Sequence, residues 1–154
     1  MTTYNRFQGE PAVTLKNGGA SMQYISGQPV MDQGLGNTTQ ISLFTKPGWW
    51  GNVLFSDPNK KIGSTFQEIR PIIDIQTIND YTDAADDALS WMKKVKLASR
   101  IDIEVTNPYN DQIRTKIIIT PPGQNINELL FTSNGLNWIA QANNPAHARF
   151  NDAL

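Results

Sequence analysis

The chain has 154 residues, the usual length of one domain, and 39% of them are hydrophobic, enough for a sizeable buried core. Its 13 basic and 14 acidic side chains give a net charge of −1, which argues against a general nucleic-acid binder, because such proteins carry a positive surplus. The absence of cysteine excludes disulfides, thiolate metal sites and thiol catalysis.

The first part of the chain predicts an arm followed by a short helix. Residues 1–33 are rich in Gly, Gln, Thr and Ser and hold only short apolar patches, which indicates an N-terminal arm with one weak strand or hairpin. A helix is predicted at about 34–45, and Lys46-Pro47-Gly48 ends it.

Two adjacent tryptophans, Trp49 and Trp50, stand in a loop bounded by Gly48 and Gly51. Neighbouring side chains in a strand point to opposite faces. We therefore expect one tryptophan to enter the core and the other to anchor a partner, since Trp is enriched at interface anchors. The alternative is that both belong to the core.

Two further helices are predicted. Ser64 can cap a short helix that Pro71 ends. The strongest helix runs from about Ile78 to Ala98, because apolar residues recur at intervals of three and four, and Thr77 is its predicted N-cap. Its aspartates, near the start, and its lysines, near the end, are interpreted as a solvated face that complements the helix dipole.

The apolar period then changes from 3.6 to two, which indicates β-strands. Strands are predicted at 100–106 and 112–120, forming an antiparallel hairpin, with a third at about 126–132. The whole predicts an α+β fold with one long helix and one or two short helices packed on a small, mainly antiparallel sheet. Within Ile117-Ile118-Ile119 the middle side chain must face away from its neighbours, so Ile118 is expected to be covered by a partner at a face or edge of the sheet.

The sequence changes character again after residue 132. Residues 133–154 contain an Asn-Gly turn and an apolar anchor, Trp138, and are interpreted as a C-terminal tail of the 34–132 domain. Polar segments of this kind bury little surface alone. The arm and the tail are therefore expected to be extended, with at least one of them ordered on a neighbouring chain.

Catalytic motifs are sparse. The single histidine, His147, has no nucleophile beside it, no His/Cys set suits a metal, and no glycine loop suits a phosphate, so no cofactor is expected. The long helix's aspartates lack the spacing of a calcium loop. One enzymatic alternative remains, a cell-wall hydrolase that uses Glu68 and Asp74 as an acid and base pair in an apolar neighbourhood.

Several landmarks follow one another in a recognisable order: I-S-L-F-T at 41–45, G-W-W-G at 48–51, G-S at 63–64, A-L-S-W at 88–91 and R-I-D-I-E-V at 100–105. Over roughly residues 20–132 this order resembles the Mu-like baseplate wedge family of contractile-tailed bacteriophages, which is related to the lysozyme-like wedge proteins that act as sheath initiators. The resemblance implies a non-enzymatic subunit of the inner baseplate, which joins the wedge core to the tail and initiates polymerisation of the contractile sheath. It also implies a fold like the inner domain of the sheath protein, to which sheath subunits can add strands.

Some positions depart from that family's pattern. The wider family has a Glu-Pro-Arg motif before the strand that follows the long helix, where this chain has Ala98-Ser99-Arg100. Arg100 is therefore expected at a subunit contact, and the alternative is a surface arginine paired with Asp102 or Glu104. Thr65 also stands where the Mu-like pattern has arginine after Gly-Ser.

The sequence thus predicts a structural protein of the virion tail baseplate, made and assembled in the host cytoplasm, with no secretory signal and no membrane-spanning segment. The expected partners are other baseplate wedge proteins, the tail sheath protein, and tail tube or hub proteins, without nucleic acid or membrane. The alternatives are the hydrolase and another small phage tail completion protein. The residues predicted to bind partners are Trp49, Trp50, Arg100, Ile118 and Trp138.

Overall fold

The protein has an α+β fold, as predicted. The computed structural model describes residues 9–16, 19–22, 24–32, 35–69, 74–109, 111–123, 126–133 and 138–143. The arm contains six short strands: β1 (Glu10–Pro11), β2 (Val13–Lys16), β3 (Gly19–Met22), β4 (Tyr24–Ile25), β5 (Gln28–Pro29) and β6 (Met31–Asp32). The helices and the main strands that follow are α1 (Gly36–Phe44), α2 (Ile75–Lys94), β7 (Arg100–Tyr109), β8 (Gln112–Thr120), β9 (Asn127–Ser133) and β10 (Trp138–Asn143).

The main sheet is antiparallel, with strand order β10-β9-β8-β7. Ile103 lies opposite Ile117, and Ile117 lies opposite Leu129. The predicted hairpin and the predicted third strand are therefore confirmed as β7, β8 and β9. The fourth strand, β10, lies in the segment interpreted as a tail and pairs with β9 along its length.

The core lies between α2 and the sheet. The apolar stripe of α2, Phe66 and the side chains that β8 directs to the same side form one buried cluster, and apolar side chains of β7 pack against it. Tyr81 meets Phe66 edge to face, with 5.3 Å between ring centroids, and burial raises the pKa of the Tyr81 hydroxyl. The largest fully buried side chains are Leu43, Phe66, Leu89, Met92, Ile117 and Ile119.

The long helix begins earlier and ends earlier than the periodicity predicts. Its N-cap is Asp74 and not Thr77: Asp74 Oδ1 accepts hydrogen bonds from the Thr77 backbone N–H at 2.7 Å and from Thr77 Oγ1 at 2.9 Å. The predicted end at Ala98 is also wrong. The helix ends at Lys94 and the chain turns out through Lys96, whose φ of 61° is left-handed.

The described part of the arm is extended, and α1 of the same chain holds it. The Asn37 side chain accepts from the Val13 N–H at 2.9 Å and donates to the Pro11 carbonyl at 2.8 Å. The Asp32 carboxylate caps α1 by accepting from the Asn37 N–H at 2.7 Å. Pro11, Val13 and Asp32 thus bond α1 of their own chain, and β10 pairs with β9, while the ordering of either end on a neighbouring chain stays a prediction.

Candidate partner-binding surfaces

Residues 46–63 form a loop, here called the tryptophan loop, whose two ends run side by side. The Thr45 carbonyl accepts from the Ser64 N–H at 2.8 Å, just outside the loop. Gly63 has a φ of +154°, and a Cβ at this position would lie 3.0 Å from the Pro47 Cα. Only glycine fits this close approach without displacing the backbone, so the loop leaves the domain through a narrow, fixed base.

The Asn52 side chain holds the middle of the loop. Its Nδ2 donates to the Ile62 carbonyl at 2.6 Å, and its Oδ1 accepts from the Ile62 N–H at 2.9 Å. An amide that bonds both backbone groups of one residue imitates one rung of a β-ladder. This clamp holds the 3₁₀ turn Trp50–Leu54 against the returning segment of the loop at Ile62.

The tryptophans lie together at the start of that turn. Their ring centroids are 5.6 Å apart with the planes tilted by 48°. The Trp49 ring covers Gly51 so closely that a Cβ there would lie 2.1 Å from it. Trp49 is 37% exposed and Trp50 is 72% exposed, so neither side chain enters the core.

The turn displays further apolar side chains that the sequence reasoning did not single out. Val53 is 84% exposed and Leu54 is 72% exposed, and Phe55 is also exposed. Exposed lysines stand at the base, with Lys46 beside Pro47 at one end and Lys60 and Lys61 before Ile62 at the other. The loop therefore carries exposed apolar side chains at 50–55 and exposed lysines near its two ends, here called the lysine collar, and the Asn52 bonds tie the turn to Ile62.

The second surface is the free edge of the main sheet. β7 is the last strand in the sheet order, and among the described residues its ladder partner is β8 alone. The register shifts between Thr106 and Tyr109, so the irregular end of the strand is separate from the regular stretch at 100–106. That regular stretch presents an unpaired row of backbone donors and acceptors.

Arg100 lies at the start of this edge. Its Nε donates to Asp102 Oδ1 at 2.9 Å, and the same pair forms an exposed ion pair. The bond and the charge of Asp102 raise the pKa of the Arg100 guanidinium. This is the pairing weighed as the alternative to a subunit contact, and it leaves the rest of the guanidinium fork in solvent.

Ile118 lies on the interior strand β8, with Asp102 and Glu128 as its neighbours across the two ladders. Ile118 does not lie at an edge of the sheet, because β7 and β9 flank β8 on its two sides. The half-buried Ile118 side chain points away from the face that holds Ile117 and Ile119. Any partner contact at Ile118 would therefore be to the face of the sheet.

The remaining partner-binding candidate, Trp138, and the lone histidine are placed less fully. Trp138 is the first residue of β10, where its backbone pairs with Ser133. His147 lies outside the described residues.

A cleft of about 460 Å³ lies beside the start of α2. Glu68 and Asp74 both line it, together with Asp80, Asp83 and Asp87. Both candidate catalytic carboxylates are exposed, and Asp74 uses an oxygen to cap α2. Neither carboxylate lies in the buried, apolar neighbourhood that the hydrolase alternative expects. Within the described residues, no group of three or more His, Asp or Glu side chains is placed to hold a metal ion.

Comparison with known proteins identifies the chain as a bacteriophage protein. A family model described as phage protein GP46 matches residues 31–126, from β6 to the residue before β9. The chain belongs to that family. No curated protein and no solved structure matches the chain. In the described part of the chain, no helix is long and apolar enough to cross a membrane.

Proposed function

We propose that the protein is a structural, non-enzymatic subunit of a contractile tail baseplate, a wedge protein that joins the wedge core to the tail and initiates sheath polymerisation. The observation that carries the proposal is the open edge of β7 on a small antiparallel sheet. Its partners would be other wedge proteins, the sheath protein, and tail tube or hub proteins. Its location would be the baseplate of the virion, after assembly in the host cytoplasm.

Sheath initiation by strand addition requires an edge that an incoming strand can join. The regular stretch of β7 offers seven consecutive residues, 100–106, in unbroken register with β8. Main-chain hydrogen bonds to such an edge give affinity, and the alternating side chains give specificity. On the other side of β8, the sheet continues with β9 and β10. The edge at β7 is therefore the one favoured for strand addition.

The cell-wall hydrolase is the weaker alternative, because both of its carboxylates are open to solvent. A muramidase assay with the purified full chain separates the two functions. We expect no turnover above that of the Glu68→Gln variant. Activity that this variant abolishes would refute the structural proposal.

The direct test is co-assembly with purified sheath protein. We expect the full chain to shorten the lag of sheath polymerisation and to protect alternate backbone amides along 100–106 from hydrogen exchange. The alternation is decisive, because every second N–H of β7 already bonds β8 and only the outward set gains a partner. Protection elsewhere, or no effect on the lag, would contradict the proposal for β7.

A further inference from the structure

The tryptophan loop is an apolar interaction surface that its own domain does not cover. Trp50, Val53 and Leu54 are each more than 70% exposed, although the loop is held by Asn52. A loop fixed in advance loses little entropy on docking. Apolar side chains on such a loop, with Trp among them, have the composition of an interface anchor.

The collar of the loop indicates the charge of its partner. Lys46, Lys60 and Lys61 stand near the two ends of the loop, and Asp57 is the only carboxylate within residues 46–63. Asp57 accepts from the Asn59 N–H at 2.9 Å and so turns the chain locally. The surface that receives the loop must combine an apolar contact with an excess of negative charge.

The chain carries a surface of that description. Among the residues that the structure describes, ten line the cleft beside α2; five of them are carboxylates and none is basic. Ile69 belongs to the same lining and is half-buried, so an apolar side chain stands among the acids. The lining residues all fall outside 46–63, so the loop does not fill the cleft of its own molecule.

We propose that the tryptophan loop of one copy of this chain docks into the acidic cleft beside α2 of a second copy. The lysine collar then faces carboxylates such as Asp83 and Asp87, and the exposed apolar side chains of the loop pack on Ile69. The contact is head to tail, because the two surfaces are different. A docked pair therefore still has one free loop and one free cleft, and further copies can add at both ends. This contact assigns a partner to one surface of the proposed baseplate subunit. As a contact within a baseplate it rests on the proposed function.

Sedimentation velocity of the purified full chain tests the contact. We expect association that grows with concentration and weakens as salt is raised, because exposed charge pairs are screened. Trp50→Ala should weaken the association by about 30-fold or more, as expected for an anchor residue. Lys60→Glu with Lys61→Glu should also weaken it, and the matched control, Lys93→Glu with Lys94→Glu, reverses two exposed charges outside the loop and should not.

Mixing two variants gives the sharper result. Trp50→Ala keeps an intact cleft, and Asp83→Lys with Asp87→Lys keeps an intact loop. Each alone should stay monomeric, and the mixture should form a one-to-one dimer that grows no further. The control Asn79→Lys, on an exposed position of α2 outside the cleft, should assemble like the native chain.

Other outcomes would overturn the proposal. These are a native chain that stays monomeric at high concentration and low salt, a mixture that grows beyond the dimer, or self-association that Trp50→Ala leaves unchanged. Trp50-dependent binding to anionic phospholipid vesicles by a monomeric chain would show that the loop meets a membrane. None of these results bears on sheath nucleation at β7, so the two proposals fail separately.

Discussion

Among individual residues, Gly51 decides where the first tryptophan ring lies. Only glycine, which has no Cβ, leaves room for the Trp49 ring at this position. We expect Gly51→Ala to displace that ring and shift the assigned Trp49 indole N–H resonance in NMR spectra. Gly48→Ala is the control, since it adds left-handed strain at φ +76° but meets no atom within 4 Å. An unchanged Trp49 resonance in Gly51→Ala would show that the contact does not hold the ring.

Tyr81 links stability to alkaline pH. Its pKa is raised by burial from the ordinary 10.0, so the folded state keeps the proton that the unfolded state loses first. Stability is therefore full below pH 10 and falls as the pH rises towards the folded pKa, by at most about 1.4 kcal/mol per pH unit. Urea unfolding on both sides of pH 10 should show a shallower alkaline fall in Tyr81→Phe. The exposed Tyr109→Phe should keep the native slope, and equal slopes in all three proteins would refute the effect.

At the scale of elements, the start of α2 depends on one carboxylate. Asp74→Ala removes the cap and should lower the free energy of unfolding by about 0.5–2 kcal/mol. Asp74→Asn keeps an acceptor for the Thr77 N–H and should cost less. Chemical denaturation of the three proteins measures both differences, and equal losses in Ala and Asn would mean that the charge, and not the hydrogen bond, stabilises the helix end.

The same helix shows which elements a sequence can predict. Its middle was found because the stripe from Tyr81 to Met92 is both periodic and buried. Its first turn was missed because Ile75 is exposed and adds nothing to the apolar period. The Asn52 clamp joins positions ten residues apart and has no periodic signal. The strand β10 depends on the edge of β9, which is a tertiary contact and not a local preference.

The candidate surfaces also have features that the sequence predicted and features that it did not. Strand geometry predicted one core tryptophan and one exposed anchor, and the core half is wrong, because the pair begins a 3₁₀ turn and both side chains are exposed. The exposure of Val53 and Leu54 was not predicted, because apolar residues are expected in the protein core. Both side chains are exposed in the 3₁₀ turn that Asn52 holds. The acidic cleft was interpreted as a plain solvated helix face, since its other wall is contributed by Thr65 and Glu68 from outside the helix.

At the scale of the whole molecule, the two edges of the sheet have different neighbours among the described residues. β7 is open, while β10 covers the edge of β9 and itself lies next to β2 of the arm. A protein that offers one edge to a partner must keep the other from pairing with copies of itself. We interpret β10 as the strand that protects the second edge.

Truncation tests that interpretation. A chain ending at Asn143 keeps β10 and should match the full chain in solubility and Tm. A chain ending at Thr132 lacks β10 and the last residue of β9, so the β9 edge becomes free and we expect aggregation with a Tm lower by about 4–8 °C, for a loss of ~2 kcal/mol. Light scattering and thermal unfolding measure the two effects, and a peptide of residues 133–143 should reverse them by restoring the strand. If the shorter chain is as soluble and stable as the longer one, β10 does not protect the edge, and the sheet has two open sides for a partner strand.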